Sequence, residues 1–158
     1  MPLSVDGRKI GGVHVGAQAI GEGWVWDGSS WSQVFSSVPP EVSPMGMWLT
    51  ETATFTTTIT KLGPMAAMSD RPDTAIVDNM LVADGPGVRT LHVRIVWSGT
   101  YMPTYYVYKN GERLASDTAT IPDVPIAAGD QFWVSARNGF GSGRATGGSE
   151  TSTYLYWD

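Results

Sequence analysis

At Tyr105-Tyr106-Val107-Tyr108-Lys109-Asn110-Gly111-Glu112-Arg113-Leu114 an Asn-Gly pair stands between two runs of strand-forming residues. Asn and Gly accept positive φ more readily than other residues, and at the centre of a two-residue loop they give the primed turn whose twist matches two antiparallel strands. The aromatic and β-branched flanks suit a pleated surface, so the segment predicts a β-hairpin. Alternation along a strand puts Tyr106 and Tyr108 on one face and Tyr105 on the other.

The same period continues on both sides of the hairpin. Leu91, Val93, Ile95 and Trp97 alternate with His92 and Arg94. Between positions 49 and 62 the odd places hold Leu49, Ala53, Phe55 and Ile59, and the even places hold Thr50, Thr52, Thr54, Thr56, Thr58 and Thr60. This predicts one long half-buried strand or a strand pair. Further strands are predicted over 75–82, 132–136 and 153–157, with turns at Asp84-Gly85-Pro86-Gly87 and Ala128-Gly129-Asp130. Residues 63–70 suit a single helical turn, and no other segment calls for a helix. About seven or eight short strands at this spacing indicate an all-β fold, a β-sandwich of jelly-roll-like form.

Upstream, the segment Gly23-Trp24-Val25-Trp26-Asp27-Gly28-Ser29-Ser30-Trp31-Ser32-Gln33-Val34-Phe35 concentrates aromatic surface. Asp-Gly again marks a turn, across which Trp26 and Trp31 can face each other. Ile10-Gly11 followed by Val15 and Ile20-Gly21 followed by Val25 form an echo expected of two hairpin limbs, with His14 on the face opposite Val13 and Val15. Ser36-Ser37-Val38-Pro39-Pro40-Glu41-Val42-Ser43-Pro44 has the prolines of an extended linker. The expected organisation is therefore an N-terminal β-hairpin arm over 1–35, a Pro-rich linker over 36–46 and the sandwich over 47–158. An isolated two- or three-stranded arm is marginal in water, so Trp24, Trp26, Trp31 and Phe35 need a surface to cover them and are the candidate assembly interface.

The net charge of -5, from 10 Lys and Arg against 15 Asp and Glu, opposes phosphate backbones and anionic membranes, so neither nucleic acid nor membrane insertion is expected. No cysteine is present, which removes disulfides, thiolate metal sites and a cysteine nucleophile. The start of the chain lacks the pattern of a secretory signal, and no apolar run reaches the ~18 residues of a membrane span. His14 and His92 are not in a metal-binding spacing, and Asp70, Asp73, Asp78 and Asp84 lack the calcium-loop pattern. The glycine-rich run from Gly139 to Gly148 has no Gly-Lys-Ser/Thr and no following helix. Gly-x-Ser-x-Gly is absent too. The expectation is a protein without catalytic activity, metal or cofactor. A sugar-hydrolysing carboxylate pair would meet only in the fold.

Aromatic binding surface is the stronger signal. Tyr106 and Tyr108 oppose Tyr105, and Tyr154 and Tyr156 oppose Leu155 and Trp157, so one set of each lies on an outer face or in a subunit contact. Tyr105, Tyr106, Tyr108, Tyr154 and Tyr156 are the candidate binding residues of the sandwich, for sugar rings or for a protein partner.

Val5-Asp6-Gly7-Arg8-Lys9-Ile10, then Val13-His14-Val15-Gly16, then Trp24-Val25-Trp26-Asp27-Gly28 and Trp31 resemble a short repeated segment of minor tail proteins from tailed bacteriophages of actinobacteria. The resemblance covers roughly the first fifth of the chain. Tyr108-Lys109-Asn110-Gly111 and Ile126-Ala127-Ala128-Gly129-Asp130-Gln131-Phe132 resemble the jelly-roll heads of virion and C1q-like trimers. The resemblance implies a virion structural protein, assembled in the host cytoplasm, whose arm docks on another tail or capsid protein. It also implies a homo-oligomer, with three-fold symmetry as in tail fibres, and host attachment through a cell-surface glycan. The competing readings are a capsid decoration protein, a free carbohydrate-binding module and a small hydrolase.

Overall fold

The computed structural model describes residues 4–5, 8–9, 14–15, 18–19, 22–26, 29–36 and 41–158. The chain divides into two compact units, Met1–Pro40 and Glu41–Asp158.

The first unit contains β1 (Ser4–Val5), β2 (Arg8–Lys9), β3 (His14–Val15), β4 (Gln18–Ala19), β5 (Glu22–Trp26) and β6 (Trp31–Ser36). They pair consecutively into three antiparallel two-stranded sheets where two limbs were expected. In the β5–β6 pair Trp26 stands opposite Trp31, Trp24 opposite Gln33 and Gly23 opposite Phe35, with a register shift between Gly23 and Trp24. The Asp27-Gly28 turn and the Ile10-Gly11 and Ile20-Gly21 echo lie outside the described residues.

The second unit, the body, begins with β7 (Met45–Leu49), β8 (Ala53–Phe55), β9 (Thr60–Lys61), β10 (Met65–Ala67), β11 (Ala75–Val77) and β12 (Met80–Val82). It continues with β13 (Gly87–Arg94), β14 (Trp97–Ser98), β15 (Thr104–Lys109) and β16 (Glu112–Ser116). β17 (Thr120–Ile126), β18 (Gln131–Arg137), β19 (Gly143–Ala145) and β20 (Tyr154–Trp157) complete it. Sheet I has the order β10-β7-β20-β13-β17; sheet II has β11-β12-β18-β15-β16, with β9 also on β18; sheet III has β14-β19-β8. All pairings are antiparallel, and the described residues contain no helix.

Strands from the two halves of the body pair in nested fashion: β7 with β20, β12 with β18, β13 with β17, and β15 with β16. A long hairpin rolled over on itself gives this nested order, and the body is all-β as expected. Sheets I and II contribute to one core. Met47, Leu49, Leu91, Leu155 and Trp157 come from sheet I, and Leu81, Val107, Phe132 and Val134 come from sheet II. The Trp157 and Phe132 rings meet edge to face at 5.1 Å across it.

Several boundaries differ from the expectation, each for a local reason. Positions 41–46 fall in the body, because Val42 and Met45 are buried and Ser43 accepts the Trp157 indole N–H at 2.8 Å. The threonine-rich stretch forms no continuous strand: β8 joins sheet III and β9 joins sheet II, with Phe55 buried and Ile59 exposed. Residues 75–82 are a hairpin, reversed by Asp78 and Asn79 at φ 49° and 62°. Short polar side chains tolerate that left-handed region. The helical turn expected within 63–70 is β10, drawn into the ladder with β7. β17 was missed because Pro122 and Pro125 interrupt it; it lies at the edge of sheet I, where a missing amide donor is tolerated.

The Asn-Gly turn has φ 50° at Asn110 and 91° at Gly111, as a primed turn requires. It is tied to the Ala-Gly-Asp turn. Asn110 Nδ2 donates to Asp130 Oδ1 at 2.6 Å, and the Gln131 amide donates to Asn110 Oδ1 at 2.8 Å. Asp130 Oδ2 accepts the Ala127 amide at 2.7 Å and pairs with Lys109 Nζ at 2.9 Å. Two separate sequence signals are thus one hydrogen-bonded corner.

Candidate interaction surfaces

The five candidate tyrosines do not form one site. The β15–β18 register sets Tyr105 opposite Ala136 and Val107 opposite Val134, so this parity faces the core. Tyr105 is therefore half-buried against the core cluster, and its place on an outer face is corrected. Burial and then the Asp117 charge raise its phenol pKa, because both disfavour the phenolate. It also lines a hollow of about 210 Å³ with Ile95, Trp97, Met102, Pro103 and Asp117.

Tyr106 and Tyr108 take the opposite parity, on the outer face of sheet II, beside Ser135 and Trp133. Tyr108 and Trp133 stack with ring centroids 5.2 Å apart and planes 7° from parallel. Tyr106 lies on an outward position yet is only 4% exposed. The guanidinium carbons of Arg113 and Arg137 cover it, 5.5 and 5.8 Å from its ring centroid. Cations over aromatic faces are attracted by the ring quadrupole. Sequence alternation could group these residues but could not choose the outward set, since tyrosine occupies both parities.

Tyr154 and Tyr156 lie on the outer face of sheet I, with Leu155 and Trp157 facing the core. Tyr156 is sandwiched: His92 stacks on it at 4.7 Å, and Arg71 lies 4.6 Å from its centroid. Arg71 in turn bridges Asp70 and Asp158. Burial works against the Arg71 charge, but the bonds to Asp158 and Asp70 outweigh it and hold the guanidinium pKa above its ordinary value. Burial, then Asp158, raise the Tyr156 pKa. Gly46 makes room for this stack: a Cβ there would meet Met68 Sδ at 2.7 Å and Tyr156 Cβ at 2.8 Å. These contacts secure the sheet face and leave Tyr156 little free ring surface.

A third patch, not grouped in the sequence reading, includes Trp97 on β14 of sheet III and Tyr101, Met102 and Phe140 on loops. Met102 is 79% and Phe140 72% exposed, and the Tyr101 and Phe140 rings touch at 5.6 Å. Glycine-rich flanks hid Phe140, which has no periodic neighbours.

The arm candidates Trp24, Trp26, Trp31 and Phe35 fall in the β5–β6 pair; their side chains lie outside the described residues. Among the described residues no group of three or more His, Cys, Asp or Glu could hold a metal ion. Asp84 accepts the Ser43 amide, and Asp70 is held by Arg71, so these carboxylates have structural partners.

Comparison with family models and with curated proteins finds no match to this chain.

Proposed function

We propose that this protein is a non-enzymatic structural component of a tailed-phage virion, a minor tail, tail-tip or fibre protein. Its arm docks on another virion protein, and its sandwich-like body is presented for host attachment. The observation that carries the reading is the division of labour between the two units. The body gathers its core from Val42 to Trp157, all within 41–158. The described residues of the arm form two-stranded sheets, and such hairpins are marginal unless something packs on them. The pair Trp26 and Trp31, directly opposite in register, concentrates aromatic area of the kind that dominates permanent interfaces. The resemblance of the first fifth of the chain to minor tail proteins supports the same reading.

Incorporation into particles tests it. A Trp24→Ala, Trp26→Ala double variant is expected to keep a folded body and to be lost from purified virions. Incorporation at the normal level would refute the assembly role of the arm.

A further inference from the structure

The outer face of sheet II has an unusual charge for this chain. The protein is net negative by 5 charges, yet the strands of sheet II carry Lys61, Arg113 and Arg137 at outward positions. Their single carboxylate, Glu112, is opposite Lys109, on the inward parity. Lys61, Arg113 and Arg137 are exposed, and none has a carboxylate within ion-pair distance among the described residues. Asp117, in the turn after β16, spends one carboxylate oxygen on the Tyr105 amide at 2.9 Å.

The two arginines are held in place. Arg113 stands opposite Tyr108, and Arg137 opposite Thr104, so they reach Tyr106 from its two ends along β15. Both guanidiniums rest near the same ring. A guanidinium lying on an aromatic face is pre-organised and keeps its N–H edge for a planar anion. Two like charges converging on one ring repel each other, and an anion between them relieves that repulsion. Next to them the Tyr108 and Trp133 pair provides a half-buried aromatic wall of the sort that packs against sugar rings.

The ligand chemistry follows. β15 is paired on both sides and its Tyr105 amide is taken by Asp117, so the strand offers no nest for a phosphate. What remains is a pair of forked donors, suited to carboxylates one at a time, beside an apolar wall. We infer that the outer face of sheet II binds an acidic polysaccharide of the uronate type, with Arg113 and Arg137 taking the sugar carboxylates and the Tyr108 and Trp133 pair flanking the rings. This rests on the attachment role proposed above and names its ligand class.

The test uses the full chain and polygalacturonate, with fully methyl-esterified polygalacturonate as a neutral polymer of the same rings. Binding to the charged polymer only, weakening with added salt, is expected. An Arg113→Gln, Arg137→Gln variant should lose roughly tenfold or more in affinity while its melting temperature stays close to that of the parent. An Arg113→Lys, Arg137→Lys variant should fall between the two, because it keeps charge without the fork. No binding to polygalacturonate, equal binding to the ester, or full affinity in the glutamine variant would each overturn the inference. Tighter binding to oligodeoxythymidylate would overturn it in favour of nucleic acid. The glutamine variant should still enter particles, so failure here leaves the assembly role of the arm standing, and the tryptophan variant tests that role independently.

Discussion

Asp130 accepts from the Asn110 side chain and the Ala127 amide and pairs with Lys109, all within one corner of the body. Burial pushes its carboxyl pKa up, but these partners outweigh burial and hold it below the ordinary value. The unfolded chain therefore takes up the proton first as acid is added. The stabilisation is complete above the unfolded value of about 3.9 and disappears as the pH falls through the lower folded value. Asp130→Asn is expected to cost about 1–3 kcal/mol at neutral pH, since a charge-assisted acceptor is lost and Lys109 keeps only the Pro125 carbonyl as a hydrogen-bond partner. Urea melts across the acid range should show a shallower pH slope for the variant, with a residual slope from Asp84, whose pKa is also lowered. Gly46 is the second sensitive residue. Gly46→Ala should lower stability by about 1–3 kcal/mol through overpacking against Met68 and Tyr156, read as a lower melting temperature. Neither effect was legible in advance: Gly-Asp was seen as a turn, but the partner of its carboxylate is set by the adjacent hairpin.

The elements read most easily from sequence were those whose signal is local. The Asn-Gly hairpin and the alternation of β13 and β20 needed only turn chemistry and period. The threonine-rich stretch reads as one long strand or a strand pair, and its two strands β8 and β9 instead join different sheets; threonine tolerates strand geometry whether or not one face is buried, so Ile59 looked like core. β17 was hidden by prolines that only an edge can accept, and edge position is a property of the whole sheet. The outer aromatic faces were half legible: the pairs were grouped correctly, while Tyr105 faces inward and the two remaining pairs lie on different sheets. Trp157 is the element-scale test. It is fully buried at the end of β20, touches Phe132 across the core and donates to Ser43 ahead of β7. Trp157→Ala should cost about 3–5 kcal/mol in denaturant melts. A chain beginning at Met45 should be less stable than one beginning at Glu41 by at least about 2 kcal/mol, because it lacks Val42 and the Ser43 acceptor.

At the scale of the molecule, residues 41–158 contain a core that draws on all three sheets, with Phe55 and Ala145 from sheet III. Expressed alone, they should unfold in a single cooperative transition, with thermal and denaturant curves from fluorescence and circular dichroism coinciding. Two separate transitions would show that the sheets do not share one core. The linker boundary matters here, since six residues at its C-terminal side, 41–46, belong to the compact body.

The pairing of β7 with β20 has a topological consequence. Met45 stands opposite Trp157, so the chain enters and leaves the body on neighbouring strands. Ends this close can be fused by a short glycine-rich bridge and new ones opened elsewhere. A circular permutant opened between Gly141 and Ser142, both exposed, would keep every ladder of the body while moving its attachment point to the opposite side of the sequence. What holds the body together is then the set of pairings between strands, and the covalent thread need only join them in some order.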